Sequence, residues 1–293
     1  MKNPHILFVI NPKSGGTDKA GLDKLIEKQC KKHNYTFDLL FTRGRDDLAL
    51  IKNTIGEKVP GIVVACGGDG TINLVAKALL GADISLGIMP LGSANGLAHE
   101  FRIPEDEIDS LSIIFNEKPK LLDILSINGD KVSLHLSDVG FNAKVIKEFE
   151  RDQGRGKLGY ARAFFKSILN RESEGYTIET DKGSFSVKAE MLVFANASSY
   201  GTGAIINPKS KLNDGKFEII VFKPIPFTEL AGLTFESFFG NIAESPFVEI
   251  HQVTKARVKC DKAQLLQVDG ELVGELEVID LEIMPAAIQL IRP

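Results

Sequence analysis

Through the first 125 residues, short apolar runs alternate with segments of helical period. ILFVI (6–10), YTFDLLFT (35–42), GIVVAC (61–66) and ISLGIMP (84–90) are apolar stretches of strand length. Continuous apolar character predicts strands buried on both faces. In LDKLIEKQCKKH, Leu22, Leu25, Ile26 and Gln29 fall at helical spacing. DDLALIKNTI predicts a second helix, with Asp46 as its N-cap. TINLVAKALLG puts Ile72, Val75, Ala76 and Leu79 on one helical face, with Gly81 as the C′ residue. ANGLAHEF reads as a short helix. Strands alternating with helices predict a parallel sheet covered on both sides.

From about Leu121 the pattern changes. LLDILSING and KVSLHLSDVGF read as a hairpin turned at NGD. KLGYARAFFKSIL has helical period. Then come YTIETDKGSFSVKAEMLVFANA, KFEIIVF, FVEIHQVTKARVKC, QLLQVDGELVGE and VIDLEIMPAAIQLI, short strands with turn signals between them. That rhythm predicts a sandwich or barrel. The chain therefore divides into an α/β part over 1–125 and a largely antiparallel part after it.

Composition narrows the function classes. The 293 residues are 43% hydrophobic and 25% charged, enough for two domains with ordinary cores. The net charge of −4 and the absence of a basic stripe argue against a general nucleic-acid binder. Cys30, Cys66 and Cys260 are far apart and form no C-x-x-C pair. That spacing suits neither a zinc ribbon nor a disulfide framework, and points to a reducing, cytoplasmic compartment. No apolar run approaches the roughly 20 residues of a transmembrane helix, so any membrane contact is expected to be peripheral.

Ligands of a parallel α/β sheet bind beyond the carboxyl ends of its strands. Three loops there carry small and polar residues: NPKSGG (11–16), GGDGTIN (67–73) and PLGSAN (90–95). Each alone is an ordinary turn. Together they suit phosphate binding, because glycines let backbone N–H groups approach an anion. Asp69 complicates the reading, since a carboxylate repels phosphate unless a cation lies between them or it takes a proton. It therefore points to Mg²⁺ coordination or to general-base work in phosphoryl transfer. Capping the helix that starts at Thr71 is the plainer role. G-x-x-x-x-G-K-[ST] is absent, and GRGKLG (154–159) follows a charged run rather than a strand, unlike a dinucleotide fingerprint. LNDGKFEI (212–219) and VDGELVGE (268–275) place Asp214, Asp269 and Glu271 at Asx-Gly turns. His99 and His135 show no metal-ligand spacing.

In this order the motifs resemble the soluble diacylglycerol kinase family, which includes sphingosine, ceramide and bacterial lipid kinases. NPKSGG, FTRGRDDLA, GGDGT, PLGSANGLA, DVGFNA, GKLGYARAF, ANASSYGTG, LNDGKFEI and VDGE are similar to its successive blocks across nearly the whole chain. GGDGT alone is shared with NAD kinases; the ordered series is far more specific. The resemblance implies an N-terminal three-layer α/β domain like that of NAD kinase and phosphofructokinase. It also implies a β-sandwich lipid-substrate domain over 126–283, a last strand (284–293) that returns to the first domain, and an active site in the cleft between the two. By the same resemblance, Asn11, Thr42, Gly67, Gly68, Asp69, Gly70, Thr71, Asn73 and Ser93 would contact ATP. Asp69 would organise a catalytic Mg²⁺ or act as base, and Asp123 would join the network around that metal. Lys13 and Lys157 would supply positive charge near the phosphates. A second, structural Mg²⁺ would be held by the Asp214 carboxylate and the carbonyls of Lys211 and Lys216. Glu271 would be the general base toward the lipid hydroxyl, with Asp269 close by. Three positions depart from the family pattern: Leu74 stands where relatives often carry Glu, and Ser93 and Gly96 where bacterial diacylglycerol kinases carry Thr and Asp, Ser93 keeping the hydroxyl and Gly96 losing a carboxylate.

The reaction expected is ATP-dependent phosphorylation of a lipid hydroxyl, of diacylglycerol or sphingoid-base type. NAD kinase is the alternative enzyme, and a catalytically inactive nucleotide- or lipid-binding regulator the non-enzymatic one. The expected partners are ATP, a lipid presented at a membrane surface, and a second copy of the chain as a homodimer. In PIPFTELAGLTFESFFGN (224–241), Phe227, Leu230, Ala231, Thr234 and Phe238 fall at helical spacing, with Phe235 and Phe239 alongside. Core packing and an interfacial helix both fit that pattern.

Overall fold

The computed structural model describes residues 4–16, 19–151, 171–198, 205–208, 210–229 and 242–293. GRGKLG with Lys157, all of GKLGYARAFFKSIL, the GTG at 201–203, and Leu230 to Phe239 of the aromatic stretch lie outside the described residues. Contacts divide the chain into two units, 1–122 with 286–293 and 123–285.

The first unit is a parallel sheet between helices. Its strands are β1 (His5–Ile10), β2 (Thr36–Phe41), β3 (Ile62–Gly67) and β4 (Ser85–Pro90). The pairing order is β2-β1-β3-β4, all parallel. Gln289 and Leu290, near the end of β14 (Glu271–Ile291), add a parallel segment beside Ser85 and Leu86. Five buried positions in a row on β1 and on β3 match the continuous apolar runs. Helix α1 (Leu22–Lys32) buries Leu22, Ile26 and Cys30. With Leu111 and Ile114 of α5 (Glu107–Asn116), they pack on Ile6, Phe8, Val64, Cys66 and Met89. α2 (Asp47–Lys58) and α3 (Asp69–Leu79) pack against each other, α2 touching β1 and α3 touching β3. Ile72, Val75, Ala76 and Leu79 of α3 are fully buried, as their spacing predicts. Gly81, just past the end of α3, takes φ 76°, the left-handed C′ conformation.

One local expectation fails here, and one helix had not been foreseen. Asp46 does not cap α2: it lies in the left-handed region and its side chain makes no capping bond. α5 escapes the periodicity reading, although Asp106 gives it a real cap by accepting from the amides of Ile108 and Asp109.

The second unit is an antiparallel β-sandwich. One layer runs β12 (Val248–Val253), β11 (Phe217–Phe222), β10 (Met191–Ala195), β7 (Leu136–Gly140), β13 (Lys255–Val268). β8 (Glu174–Thr180) pairs with β13 and with β9 (Gly183–Ala189). β13 serves both pairings: Leu266 to Val268 pair with β7, Ala256 to Cys260 with β8, and the register shifts between Lys259 and Gln264. Such a break lets one strand change layers. Val139, Leu192, Phe194, Phe217 and Ile219 form one core with Tyr176, Ile178, Val258 and Ile279. β5 (Pro119–Ile127) and β6 (Lys131–Ser133) form the expected hairpin, turning through Asn128 and Gly129, both at positive φ. The helix α6 (Phe141–Arg151) follows β7 directly.

Candidate functional site

In the first unit, β2 lies on one side of β1 and β3 on the other, so the strand order reverses between β1 and β3. That is the topological switch point where open α/β sheets bind ligands. NPKSGG leaves β1, GGDGTIN leaves β3 and PLGSAN leaves the neighbouring β4. The three loops pack backbone against backbone. A Cβ on Gly92 would lie 2.4 Å from the Gly68 Cα, and one on Gly15 2.5 Å from the Leu91 carbonyl oxygen. A Cβ on Gly67 would lie 2.3 Å from Thr71 Oγ1. Asn11 Nδ2 donates to the same Thr71 Oγ1 (3.2 Å), tying the first loop to the second. Asn11 Oδ1 accepts the Lys13 amide (3.0 Å). Lys19 Nζ donates to the carbonyls of Asn11 and Ser14 (both 2.8 Å) and to Ser14 Oγ (3.0 Å). Burial holds its ammonium below the ordinary lysine pKa.

Asp69 does not cap the helix it begins. α3 starts at Asp69 itself, with Gly68 in the cap position. The Asp69 carboxylate instead reaches α4 (Gly96–Glu100), accepting from the amides of Gly96 (3.0 Å) and Leu97 (2.9 Å). Those amides are orphan donors of a helix start, so the carboxylate braces the PLGSAN loop against the GGDGT loop. Asn95 braces it from within: Oδ1 accepts the Gly92 amide and Nδ2 donates to the Gly92 carbonyl and Glu105 Oε1. Thr42 continues the β2–β1 pairing by donating its amide to the Ile10 carbonyl (2.9 Å). Its loop is shaped by Asp47, which accepts the amides of Arg43 and Gly44 (2.7 and 2.8 Å). Gly70 and Ser93 are exposed. Asn73 Oδ1 is a buried acceptor with no hydrogen-bond partner. A hydroxyl or amine of a bound molecule would satisfy it, and glycine loops of this kind let backbone amides approach phosphate oxygens. These features fit a nucleotide.

In the second unit, Asp123 and the LNDG turn come together. Asp123 Oδ2 accepts the Gly215 amide (2.6 Å), and the Asp123 amide donates to the Leu212 carbonyl (2.8 Å). Asp214 Oδ1 accepts the Lys216 amide (3.1 Å), and Oδ2 accepts from Gln252 Nε2 (3.3 Å). The same Gln252 nitrogen donates to Glu218 Oε1 (2.9 Å), while Asn207 Nδ2 holds Glu218 Oε2 (2.6 Å). Burial pushes the Glu218 carboxyl above its ordinary range and nearby Asp214 adds to the rise, against these two hydrogen bonds. Lys211 is exposed. Among the described residues, no three His, Cys, Asp or Glu side chains converge on a metal position. A cation here would rest on one carboxylate with carbonyls and water. Such an all-oxygen set suits Mg²⁺ or Ca²⁺, and each Asp214 oxygen keeps a second lone pair, so the residues fit.

VDGE forms a two-residue hairpin turn between β13 and β14. Asp269 and Gly270 both have positive φ, and Val268 pairs with Glu271. The Asp269 carboxylate accepts from Ser133 Oγ (2.7 Å) and from the amides of Leu134, His135 and Leu136. Burial pushes its carboxyl up, against those donors. Gln267 clamps the same turn, with Oε1 accepting the Gly270 amide (2.7 Å) and Nε2 donating to the buried Asp138 (2.5 Å). Glu271 stands exposed at the far side of the turn. Asp269 thus braces the turn, and Glu271 is the carboxylate it presents.

Sequence reasoning passed over Lys19, Asp47, Gln252 and Gln267. Their partners are loop amides, carbonyls and distant side chains, which leave no short motif.

Two family models cover nearly all of the chain. The diacylglycerol kinase catalytic domain matches residues 5–127, and the YegS C-terminal NAD kinase beta sandwich-like domain matches 137–292. A relative from Pectobacterium atrosepticum named "Probable lipid kinase YegS-like" is 26% identical over 300 residues, covering 100% of this chain and 97% of its own. A like-named relative from Chromohalobacter salexigens is 28% identical over 239 residues, 79% of this chain and 76% of its own. The solved structure of a "putative diacylglycerol kinase" from Bacillus anthracis strain Sterne superposes with a TM-score of 0.83 at 20% identity. It covers 100% of this chain and 98% of that one, and at this identity it shows the fold.

Proposed function

As the chain belongs to the diacylglycerol kinase-like lipid kinase family, we propose that it transfers the γ-phosphoryl group of ATP to a lipid hydroxyl. The observation that carries this reading is the meeting of three glycine-bearing loops at the switch point of the first unit. Phosphoryl transfer asks mainly for alignment and charge neutralisation, and backbone amides at close range offer both. Thr71 Oγ1, fixed by Asn11, and the open acceptor of Asn73 would orient the nucleotide. Mg²⁺ bound with ATP would neutralise charge on the phosphate oxygens. Asp69 would keep two loops in register through the amides of Gly96 and Leu97 and would be a carboxylate able to help hold the cation. Glu271, exposed on a turn that Asp269 and Gln267 hold rigid, would take the proton of the acceptor hydroxyl. Asp214 with the carbonyls of Lys211 and Lys216 would hold a structural cation that steadies the LNDG turn.

The acceptor is a lipid of diacylglycerol or sphingoid-base type, met at a membrane surface from the cytoplasm. Among the described residues, no helix is long and apolar enough to cross a membrane. The test is a screen of labelled ATP with vesicles containing diacylglycerol, monoacylglycerol, phosphatidylglycerol, ceramide or a sphingoid base, with NAD as a separate acceptor. Label in a lipid is expected. E271Q should lower kcat by about 10²-fold or more while leaving ATP binding intact, whereas D69N should weaken both. Label in NAD alone would overturn the lipid reading. ATP binding with no transfer to any acceptor would make the chain a regulator.

A further inference from the structure

The loop after β1 closes around a lysine that no motif announces. Lys19 stands eight residues beyond Asn11, and its ammonium folds back into the loop. An ammonium has three N–H donors. Here they meet the carbonyls of Asn11 and Ser14 and the hydroxyl of Ser14, all neutral oxygens at 2.8–3.0 Å. Among the described residues, the hydrogen bonds of this ammonium go to neutral loop oxygens and to no carboxylate, so the loop solvates the charge rather than pairing it.

This arrangement also shapes the backbone. A trans peptide sets its C=O and N–H on opposite sides. With the Ser14 carbonyl turned onto Lys19, the Gly15 amide turns away from it. Gly15 and Gly16 then follow at φ 69° and 63°, a turn of the kind whose successive amides cradle anions. Gly15 also lies against the Leu91 carbonyl, which presses this loop onto the PLGSAN loop.

We propose that Lys19 is a positioning cation of the nucleotide site. Its ammonium holds the Asn11–Gly16 loop in anion-binding shape and lends positive charge to the phosphates without itself hydrogen-bonding them. The inference rests on the nucleotide reading of these loops. A lysine serving only to staple the loop would steady the fold and act alike on every nucleotide. A charge working through the field acts more strongly as phosphates are added.

The test is calorimetric titration of wild type, K19R and K19M with ATP, ADP and AMP in Mg²⁺, at low and high salt, beside thermal melting. K19M keeps the aliphatic stem and K19R keeps the charge; K19Q replaces K19M if that variant does not fold. K19M should weaken ATP binding about tenfold or more. Its penalty should shrink from ATP to ADP to AMP and with added salt, and K19R should recover part of it. Equal losses for all three nucleotides, or ATP affinity within about twofold of wild type, would overturn the role of Lys19. Wild type that binds no nucleotide would overturn the nucleotide reading itself, and this inference with it.

Discussion

Asp69 exemplifies how one residue can serve two loops. Its carboxylate begins α3 but spends both oxygens on amides 27 and 28 residues away. Hydrogen bonds to an ionised acceptor are worth about 1.5–3 kcal/mol each, and are not additive. D69A should therefore destabilise the fold by about 2–4 kcal/mol in urea unfolding, and D69N by less, because its amide oxygen still accepts one bond. The neighbours Asp46 and Asp47 make the complementary point. Asp46 looks like a cap in the sequence, yet it is the buried carboxylate of its neighbour Asp47 that finds amides, those of Arg43 and Gly44. Periodicity could not choose between them, since one residue of offset decides which side chain faces the loop.

At the scale of elements, the strands and the longer helices were legible because burial repeats along them. α3 shows this best, with four residues at helical spacing and all fully buried. α5 was not read, although among the described residues it has a better cap than the helices foreseen, α1 to α4. D106A should lower the melting stability by about 1 kcal/mol. D46A, at a position with no capping bond, should be close to neutral in the same thermal melts. The motif loops were also legible, as three turns at one edge of a parallel sheet that together suit phosphate binding, though not how closely they pack. Their convergence follows from the order β2-β1-β3-β4, which local pattern does not encode.

At the scale of the whole chain, each unit carries its own core, one between sheet and helices and one inside a sandwich. The sandwich also buries charge. Glu218 is nearly buried, and its carboxyl is held above its ordinary 4.5. A folded pKa above the unfolded one means the folded state keeps its proton longer. The associated stability is full below the unfolded value and is lost as pH rises through the folded one. E218Q should therefore flatten the fall of stability from about pH 4 upward, read by urea unfolding across a pH series; parallel curves would assign that fall to other groups. What the sequence by itself determined was the alternation of α/β and antiparallel parts, the glycine turns at strand ends and the residue types offered there. Those features are short-range, because burial period and backbone freedom act over a few residues. Only the tertiary structure decided which groups meet: Asp69 with α4, Lys19 inside its own loop, Gln252 between Asp214 and Glu218, and Asp269 with Ser133 across 136 residues. A hydrogen bond depends on distance in space to within a few tenths of an ångström, and strand order alone sets that distance for residues so far apart in the chain.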